Sequence, residues 1–181
     1  MAMPTAPVRT APVRTAPVAD VLWRPLAEGD IAYVAALEAH IHAAPWSIGN
    51  FRDAIATGYS ACIGEYEGRV VAYGVLMLAP GEAQVLNLSV VPDWRRHGFG
   101  RALLRRFVST ARARGADQVF LEVRAGNAAA IGLYGAEGFQ PVARRTAYYP
   151  GVVPDATRED ALVMRLALVA GQSSEVAIDS R

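Results

Sequence analysis

The stretch VVPDWRRHGFGRALLRRF, Val90–Phe107, decides how the rest of the chain is read. An apolar run stops at Pro92, the segment RRHGFG (Arg95–Gly100) follows, and apolar residues then recur at helical spacing. Gly98 and Gly100 suit a backbone that turns with positive φ or approaches something closely. Beyond them, Ala102, Leu103, Phe107 and Ala111 mark one face of a helix, with arginines between. A glycine-rich turn opening a helix presents unpaired N–H groups at the positive end of the helix dipole, which together form an anion site. Phosphate or pyrophosphate is the anion such a turn suits best.

Working outward, the segments on both sides alternate between strand and helix patterns. AQVLNLSVVP (Ala83–Pro92) reads as a strand, and YSACIGEYE (Tyr59–Glu67) with VVAYGVLMLAP (Val70–Pro80) as a hairpin turning at Gly68–Arg69. VLWRPL (Val21–Leu26) is strand-like. EGDIAYVAALEAHIH (Glu28–His42) is an amphipathic helix with Ile31, Val34, Leu37, Glu38 and Ile41 marking its turns. A second helix follows Ser47 as N-cap, with Phe51 and Ile55 on one face. Downstream, DQVFLEVR (Asp117–Arg124) is a strand, NAAAIGLYGAEG (Asn127–Gly138) a helix capped by Asn127, and FQPVARRTAYYP and DALVMRLAL two closing strands. Strands interleaved with helices indicate an α/β or α+β sheet with helices on its faces. The central strand–helix–strand–helix run points to local parallel pairing.

At 181 residues the chain has room for one substantial core. Residues 1–18 carry a repeat starting at Thr5, Thr10 and Thr15, too proline-rich for helix or central strand and expected to be a disordered tail. The ordered domain is expected over residues 19–170, and residues 171–181 as a polar tail. A formal net charge of +1 gives no overall field for nucleic acid or membrane. The local distribution is uneven, since Arg95–Arg114 holds seven arginines and no acid. Every basic side chain is arginine, which excludes lysine Schiff-base chemistry. The single cysteine, Cys62, excludes an intramolecular disulfide and suits a reducing cytoplasm. No apolar run is long enough to span a membrane, and no signal peptide is evident, so a cytoplasmic protein is expected.

The loop R-x-x-G-x-G lacks the third glycine of the dinucleotide fingerprint and the Lys-Ser/Thr of a Walker loop. A tight strand–helix turn with solvated arginines would explain it by itself. Its context is more specific. The strand ending LSVVP, the loop, the helix and VFLEVRAGNAAAIGLYGAEGF (Val119–Phe139) together resemble the acetyl-CoA-binding core of the GNAT N-acetyltransferases. The likeness is closer to the RimI family, which acetylates the N-terminal alanine of the eighteenth small-subunit ribosomal protein. It rests on LEVRAGNAAAIGLYGAEGF, on RRTAYYP…REDALVM, and on APW (Ala44–Trp46), and spans roughly Leu22–Leu168.

The resemblance implies an α/β (α+β) GNAT fold, a mixed sheet of about six to seven strands flanked by about four helices. It implies acetyl-CoA as cosubstrate, with Arg95, Arg96, His97, Gly98, Phe99, Gly100 and Arg101 around its pyrophosphate. Leu88, Ser89 and Val90 are expected to pair with the pantetheine arm as a neighbouring strand would, and Asn127 to hold that arm. Glu122 resembles the general base and Tyr134 the general acid. The acceptor would be the N-terminus of a ribosomal small-subunit protein, alanine followed by an arginine-rich stretch. Its groove is expected to draw negative charge from Glu38, Asp155, Glu159 and Asp160, and an aromatic frame from Trp46, Tyr148 and Tyr149.

The chemistry agrees with those roles. An α-amine has pKa about 7.7–8.0 against about 10.4 for lysine, so a carboxylate acting through water suffices as base. An arginine-paired Glu122 with no chemical role, a core Tyr134, and Glu159 or Asp160 paired with Arg144, Arg145 or Arg158 are the plain alternatives. The GVVPDAT segment (Gly151–Thr157) borders the acceptor side, and a lysine or small-amine acceptor is the second reading. A nucleic-acid face on Arg95–Arg114 is disfavoured, because those arginines share a helix with Leu103, Leu104 and Phe107. Cys62 alternates with Ala61 and Ile63 as a small buried residue would. His40 and His42 face different ways on a helix, and no His, Cys and acid spacing suits a metal, so none is expected.

Overall fold

The computed structural model describes residues 18–150 and 157–168; the repeat at residues 1–17 and the tail at 171–181 lie outside the described residues. Seven strands form one sheet in the order β1-β2-β3-β4-β5-β7-β6. They are β1 (Leu22–Pro25), β2 (Ser60–Tyr66), β3 (Arg69–Ala79), β4 (Glu82–Val90), β5 (Gln118–Arg124), β6 (Gln140–Tyr149) and β7 (Glu159–Ala167). The helices among the described residues are α1 (Ile31–Ile41), α2 (Ile48–Ala56), α3 (Phe99–Ala113) and α4 (Ala128–Ala136). The expected mixed sheet flanked by helices is the observed one.

Local chemistry explains most boundaries. Ser47 Oγ accepts from Asn50 N at 3.2 Å while Asn50 Oδ1 accepts from Ser47 N at 2.9 Å, a reciprocal cap that starts α2. Asn127 Oδ1 accepts from Ala130 N at 3.1 Å and starts α4, and Gly138 ends the turn after it with φ +92°. The β2–β3 turn sits at Glu67–Gly68, one residue earlier than expected. A two-residue hairpin turn of this kind needs left-handed φ at both central residues, and these two have +49° and +72°. Arg69 therefore already pairs with Tyr66.

Two apolar layers cover the sheet. On one face, Leu103, Leu104, Phe107 and Ala111 of α3 pack with Tyr134 of α4 and with Val119, Leu121 and Val123 of β5. On the other, Ile31, Val34 and Ala35 of α1 and Phe51 of α2 pack on Ile63, Tyr73 and Val75. A Cβ on Gly74 would lie 2.9 Å from Phe107, so the bare backbone of β3 is what lets α3 sit so close. Removing a fully buried phenyl such as Phe107 would cost about 3–5 kcal/mol.

One parallel pair interrupts the otherwise antiparallel sheet. β4 and β5 pair only from Glu82↔Gln118 to Val85↔Leu121. Beyond that point β4 stays on β3 as far as Ala72↔Val90, and β5 stays on β7 as far as Arg124↔Ala161. A register shift opposite Val75/Leu76 leaves Leu86 as an extra residue at the point of divergence, and such bulges bend a strand away from its neighbour. The sheet is thus split at one end.

Candidate active site

The split places unpaired backbone of β4, Leu86–Val90, opposite Glu122–Arg124 of β5. Leu88 and Val90 turn their half-buried side chains to the α3 face, since a Cβ on Gly100 would meet Val90 Cγ2 at 3.3 Å and Leu88 Cδ2 at 3.9 Å. Their peptide groups on the β5 side have no strand partner. An extended amide-bearing arm fits that edge as a strand would.

At the open end of β4 the chain turns through Pro92–Trp94 into the loop and α3. Arg96 and Gly98 both adopt left-handed φ, +67° and +89°. Successive N–H groups in such a turn point to one side and form an anion-binding concavity. Gly98 is the N-cap of α3 and supplies no side-chain acceptor, so the first N–H groups of the helix are uncapped. Phe99 is fully buried and contributes backbone alone. His97 Nδ1 bonds Arg95 O at 2.8 Å and the ring stacks on Phe99 at 6.1 Å, so it shapes the loop. Arg95 Nε reaches back to Val90 O at 3.4 Å. The Arg101 guanidinium pairs with Glu137 at 2.9 Å, leaving its backbone N–H for the loop. The residues present fit a pyrophosphate through backbone donors and the nearby Arg95 and Arg96. Asn127 spends its oxygen on the α4 cap and keeps an exposed amide NH₂.

Tyr149 is an electrostatic neighbour of both Glu122 and Tyr134. Glu122 projects from β5 on the face opposite Leu121 and Val123, which are buried against α3 and α4. Its Oε1 is 3.1 Å from Arg145 Nε, and the Tyr148 phenol bonds to it, which raises the pKa of that phenol. The Tyr149 phenol is raised by burial and then by the Glu122 charge. Tyr134 is 7% exposed, its ring 6.0 Å from Phe139. Burial, then the neighbouring Tyr149, pushes its pKa up to about 12. The phenol therefore carries its proton throughout the neutral range. It is a weaker acid than free tyrosine, so what it offers a thiolate of pKa near about 8.5 is a buried hydrogen-bond donor more than a ready proton.

Two of the three aromatic residues come together beside Glu122. Tyr148 and Tyr149 meet edge to face at 5.1 Å, and Arg124 lies 4.4 Å over the Tyr149 ring. Trp46 instead packs on Phe51 at 5.3 Å beside α1. The expected acidic groove is corrected by the structure. Glu38 is 2% exposed and offers no surface charge; Tyr73 OH, Asn87 Nδ2, Ser89 Oγ and Trp46 N all donate to it. Glu159 accepts from Gly126 N at 2.7 Å and pairs with Arg124 at 3.1 Å. Asp160 accepts from Ala147 N at 2.8 Å and pairs with Arg144 at 2.7 Å. Both carboxyls are held below the usual range, first by those backbone N–H groups and next by the arginines. They are ties between strands, because a carboxylate beside a free N–H and a guanidinium is better satisfied there than in water. Asp155 lies outside the described residues.

Arg124 and Arg145 lie inside the quoted blocks LEVRAG and RRTAYYP, but their spacing gave them no role, and the Glu38 cluster has no motif of its own in the sequence. A glutamate on the apolar stripe Ile31, Val34, Glu38 was the available signal, since a buried glutamate requires partners.

Residues 27–139 match the acetyltransferase (GNAT) family. The [ribosomal protein bS18]-alanine N-acetyltransferase of Escherichia coli K12 is 38% identical over 130 residues, 72% of this chain and 86% of that protein. Its counterpart in Haemophilus ducreyi is 31% identical over 79% of this chain and 97% of its own. A crystal structure of the ribosomal-protein-S18-alanine N-acetyltransferase from Escherichia coli superposes with TM-score 0.76 at 34% identity, covering 84% of this chain and 97% of that one. The NatC complex bound to Gag peptide and CoA shares the fold, with TM-score 0.73 at 21% identity over 82% of this chain and 99% of that one. A split sheet with an uncapped helix at its mouth, the match to the GNAT family, and 31–38% identity to the two bS18-alanine N-acetyltransferases lead to one assignment: the chain is an N-acetyltransferase of the GNAT family and belongs with its RimI branch.

Proposed function

We propose that this protein transfers the acetyl group of acetyl-CoA directly to the N-terminal α-amine of a small-subunit ribosomal protein that begins with alanine, in the cytoplasm. The observation that carries the reading is the split between β4 and β5, with an uncapped helix N-terminus beyond β4 and Glu122 on β5. The bS18-alanine acetyltransferases that this chain resembles supply the acceptor class, and the CoA held by a protein of the same fold supports the cosubstrate.

The uncapped N–H groups of α3, with Arg95 and Arg96, hold the pyrophosphate, and the free edge of Leu88–Val90 holds the amide-bearing arm. The thioester supplies an activated acetyl carbon. Glu122 accepts a proton from the attacking nitrogen, and Tyr134 faces the departing sulfur with its hydrogen. Tyr148 and Tyr149 flank Glu122 and frame an extended acceptor backbone.

The test is intact-mass measurement and N-terminal peptide mapping after incubation with acetyl-CoA. A peptide beginning Ala-Arg should gain one acetyl group on its α-amine. The same peptide with a blocked α-amine and a free lysine should remain unmodified, because at pH 7 about a tenth of α-amines but fewer than about one lysine in a thousand are neutral. Equal modification of both peptides would replace this reading with a side-chain acetyltransferase.

A further inference from the structure

The Glu38 carboxylate is buried and multiply bonded, yet acetyl transfer through Glu122 and Tyr134 leaves it without a task. It lies under His42, which caps the C-terminal end of α1. His42 Nε2 is 2.8 Å from Ser89 Oγ and 3.6 Å from Glu38 Oε2. Ser89 belongs to the arm of β4 that has left β5, so His42 rests at the border of the split. Its side chain is 41% exposed while the carboxylate behind it is 2% exposed. The imidazole meets Glu38 from α1 and Ser89 from β4, and behind it Tyr73 from β3 and Asn87 from β4 donate to the Glu38 carboxylate.

We propose that His42 is a second proton acceptor, on the α1 side of the split, which takes the first proton from the acceptor's α-ammonium, with Glu38 as the positioning residue behind it. The inference rests on the acceptor reading above. Ser89 Oγ has one hydrogen, and its acceptors Glu38 Oε2 and Asn87 Oδ1 both lie at 3.3 Å. When that hydrogen goes to either, Nε2–H of His42 donates to Ser89 Oγ, and Nδ1 keeps a lone pair. A carboxylate behind the ring then stabilises the imidazolium that forms.

Two protons leave the nitrogen of an α-ammonium when it becomes an amide. His42 takes the first, giving the neutral amine, and passes it to solvent from its exposed side. The second is shed as the C–N bond forms and the C–S bond breaks. Glu122 takes it, the Tyr134 hydrogen bond holds the departing thiolate, and the proton on Glu122 reaches that thiolate through water. The sum is amide, free thiol and one proton released. Glu122 is poorly placed to do both jobs, because Arg145 and Tyr148 already hold its carboxylate.

The test is the pH dependence of kcat/KM for the Ala-Arg peptide in wild type and in His42→Gln, from pH 6 to pH 9.5. The variant should lose up to ~10-fold at pH 7, and the loss should shrink towards none near pH 9.5, where the amine is already neutral. Imidazole added to His42→Ala should restore part of the rate at pH 7. The nitrogen-15 spectrum of the wild type should show the Nε2–H form of His42, and Glu38→Gln should weaken that preference. A deficit equal at every pH would reduce His42 to a structural residue and overturn the proposal, as would a variant as fast as wild type at pH 7. Failure of the wild type to acetylate the peptide would remove the acceptor reading itself, and this inference with it.

Discussion

Arg145 lies across Glu122: its Nε is 3.1 Å from Glu122 Oε1, and its guanidinium carbon is 5.4 Å from the centre of the Tyr148 ring. The pairing of Glu122 with an arginine, one of the plain alternatives in the sequence, is therefore present, and it does not remove the residue from the site. Arg145 is 55% exposed at its side chain, so it orients the carboxylate while leaving an approach from solvent. An exposed partner of this kind contributes little to stability, and its effect falls on the orientation of Glu122.

Glu122→Gln keeps the shape of the residue and removes its basicity. Single-turnover transfer to the Ala-Arg peptide should fall ~10²-fold or more while acetyl-CoA still binds. Tyr134→Phe should also lower kcat, most clearly where loss of the thiolate limits the rate. Near wild-type single turnover in both variants would show that the two roles are misassigned even though the fold is right.

The loop glycines answer to different constraints. Gly98 has φ +89°, a conformation that a side chain strains. Gly100 faces Val90 Cγ2 at 3.3 Å and Leu133 Cδ2 at 3.4 Å, so a valine there would wedge α3 away from β4 and α4. Gly100→Val should raise the acetyl-CoA Kd tenfold or more, about 1.4 kcal/mol, measured by calorimetry on a variant whose melting confirms folding. Unchanged affinity would place the pyrophosphate elsewhere.

Asp160 holds a bulge in β6. Ala147 has φ +50°, its N–H donates to Asp160, and its carbonyl accepts from Arg158 Nε at 2.6 Å. The register shifts between Arg145 and Tyr149, which brings Tyr148 to Glu122. Asp160→Asn should therefore raise the acceptor KM several-fold, with acetyl-CoA affinity intact. Ala147→Gly should raise stability by up to about 1 kcal/mol, because glycine takes a left-handed φ without a Cβ clash. A fall in acetyl-CoA affinity in Asp160→Asn would move that residue's role to the cofactor side.

Buried phenols make the fold sensitive to alkali. Burial pushes Tyr134 up to about 12, and burial also raises Tyr73 and Tyr149. Unfolded tyrosines ionise near about 10, so above that pH the folded state binds more protons than the unfolded one. Stability from these groups is complete below about pH 10 and is lost as pH rises towards about 12. Urea midpoints should drop over that window, and Tyr134→Phe should flatten part of the drop. An equally steep drop in the variant would mean that Tyr134 titrates as a free phenol.

Local rules act between residues close in the chain, and these were legible from the sequence alone. Ser47 and Asn127 start helices because their side chains reach N–H groups three residues on. The apolar stripe of α3, the stop at Pro92 and the glycine turn follow from spacing and backbone sterics. The block LEVRAGNAAAIGLYGAEGF carried the family because its residues keep fixed spacing within one strand and one helix.

What only the tertiary structure decided depends on partners far apart in sequence. The parting of β4 from β5 after Val85 and Leu121 follows from a bulge set by pairing with β3. Glu38 was expected to face an acceptor and is buried instead, because Tyr73, Asn87 and Ser89 converge on it from strands 35 to 51 residues away. Glu159 and Asp160 became ties for the same reason: Gly126 and Ala147 bring unpaired N–H groups to them. Charge can be counted along a chain, but whether a carboxylate meets solvent or a donor is settled only when the chain folds, since burial without partners costs more than any surface role returns.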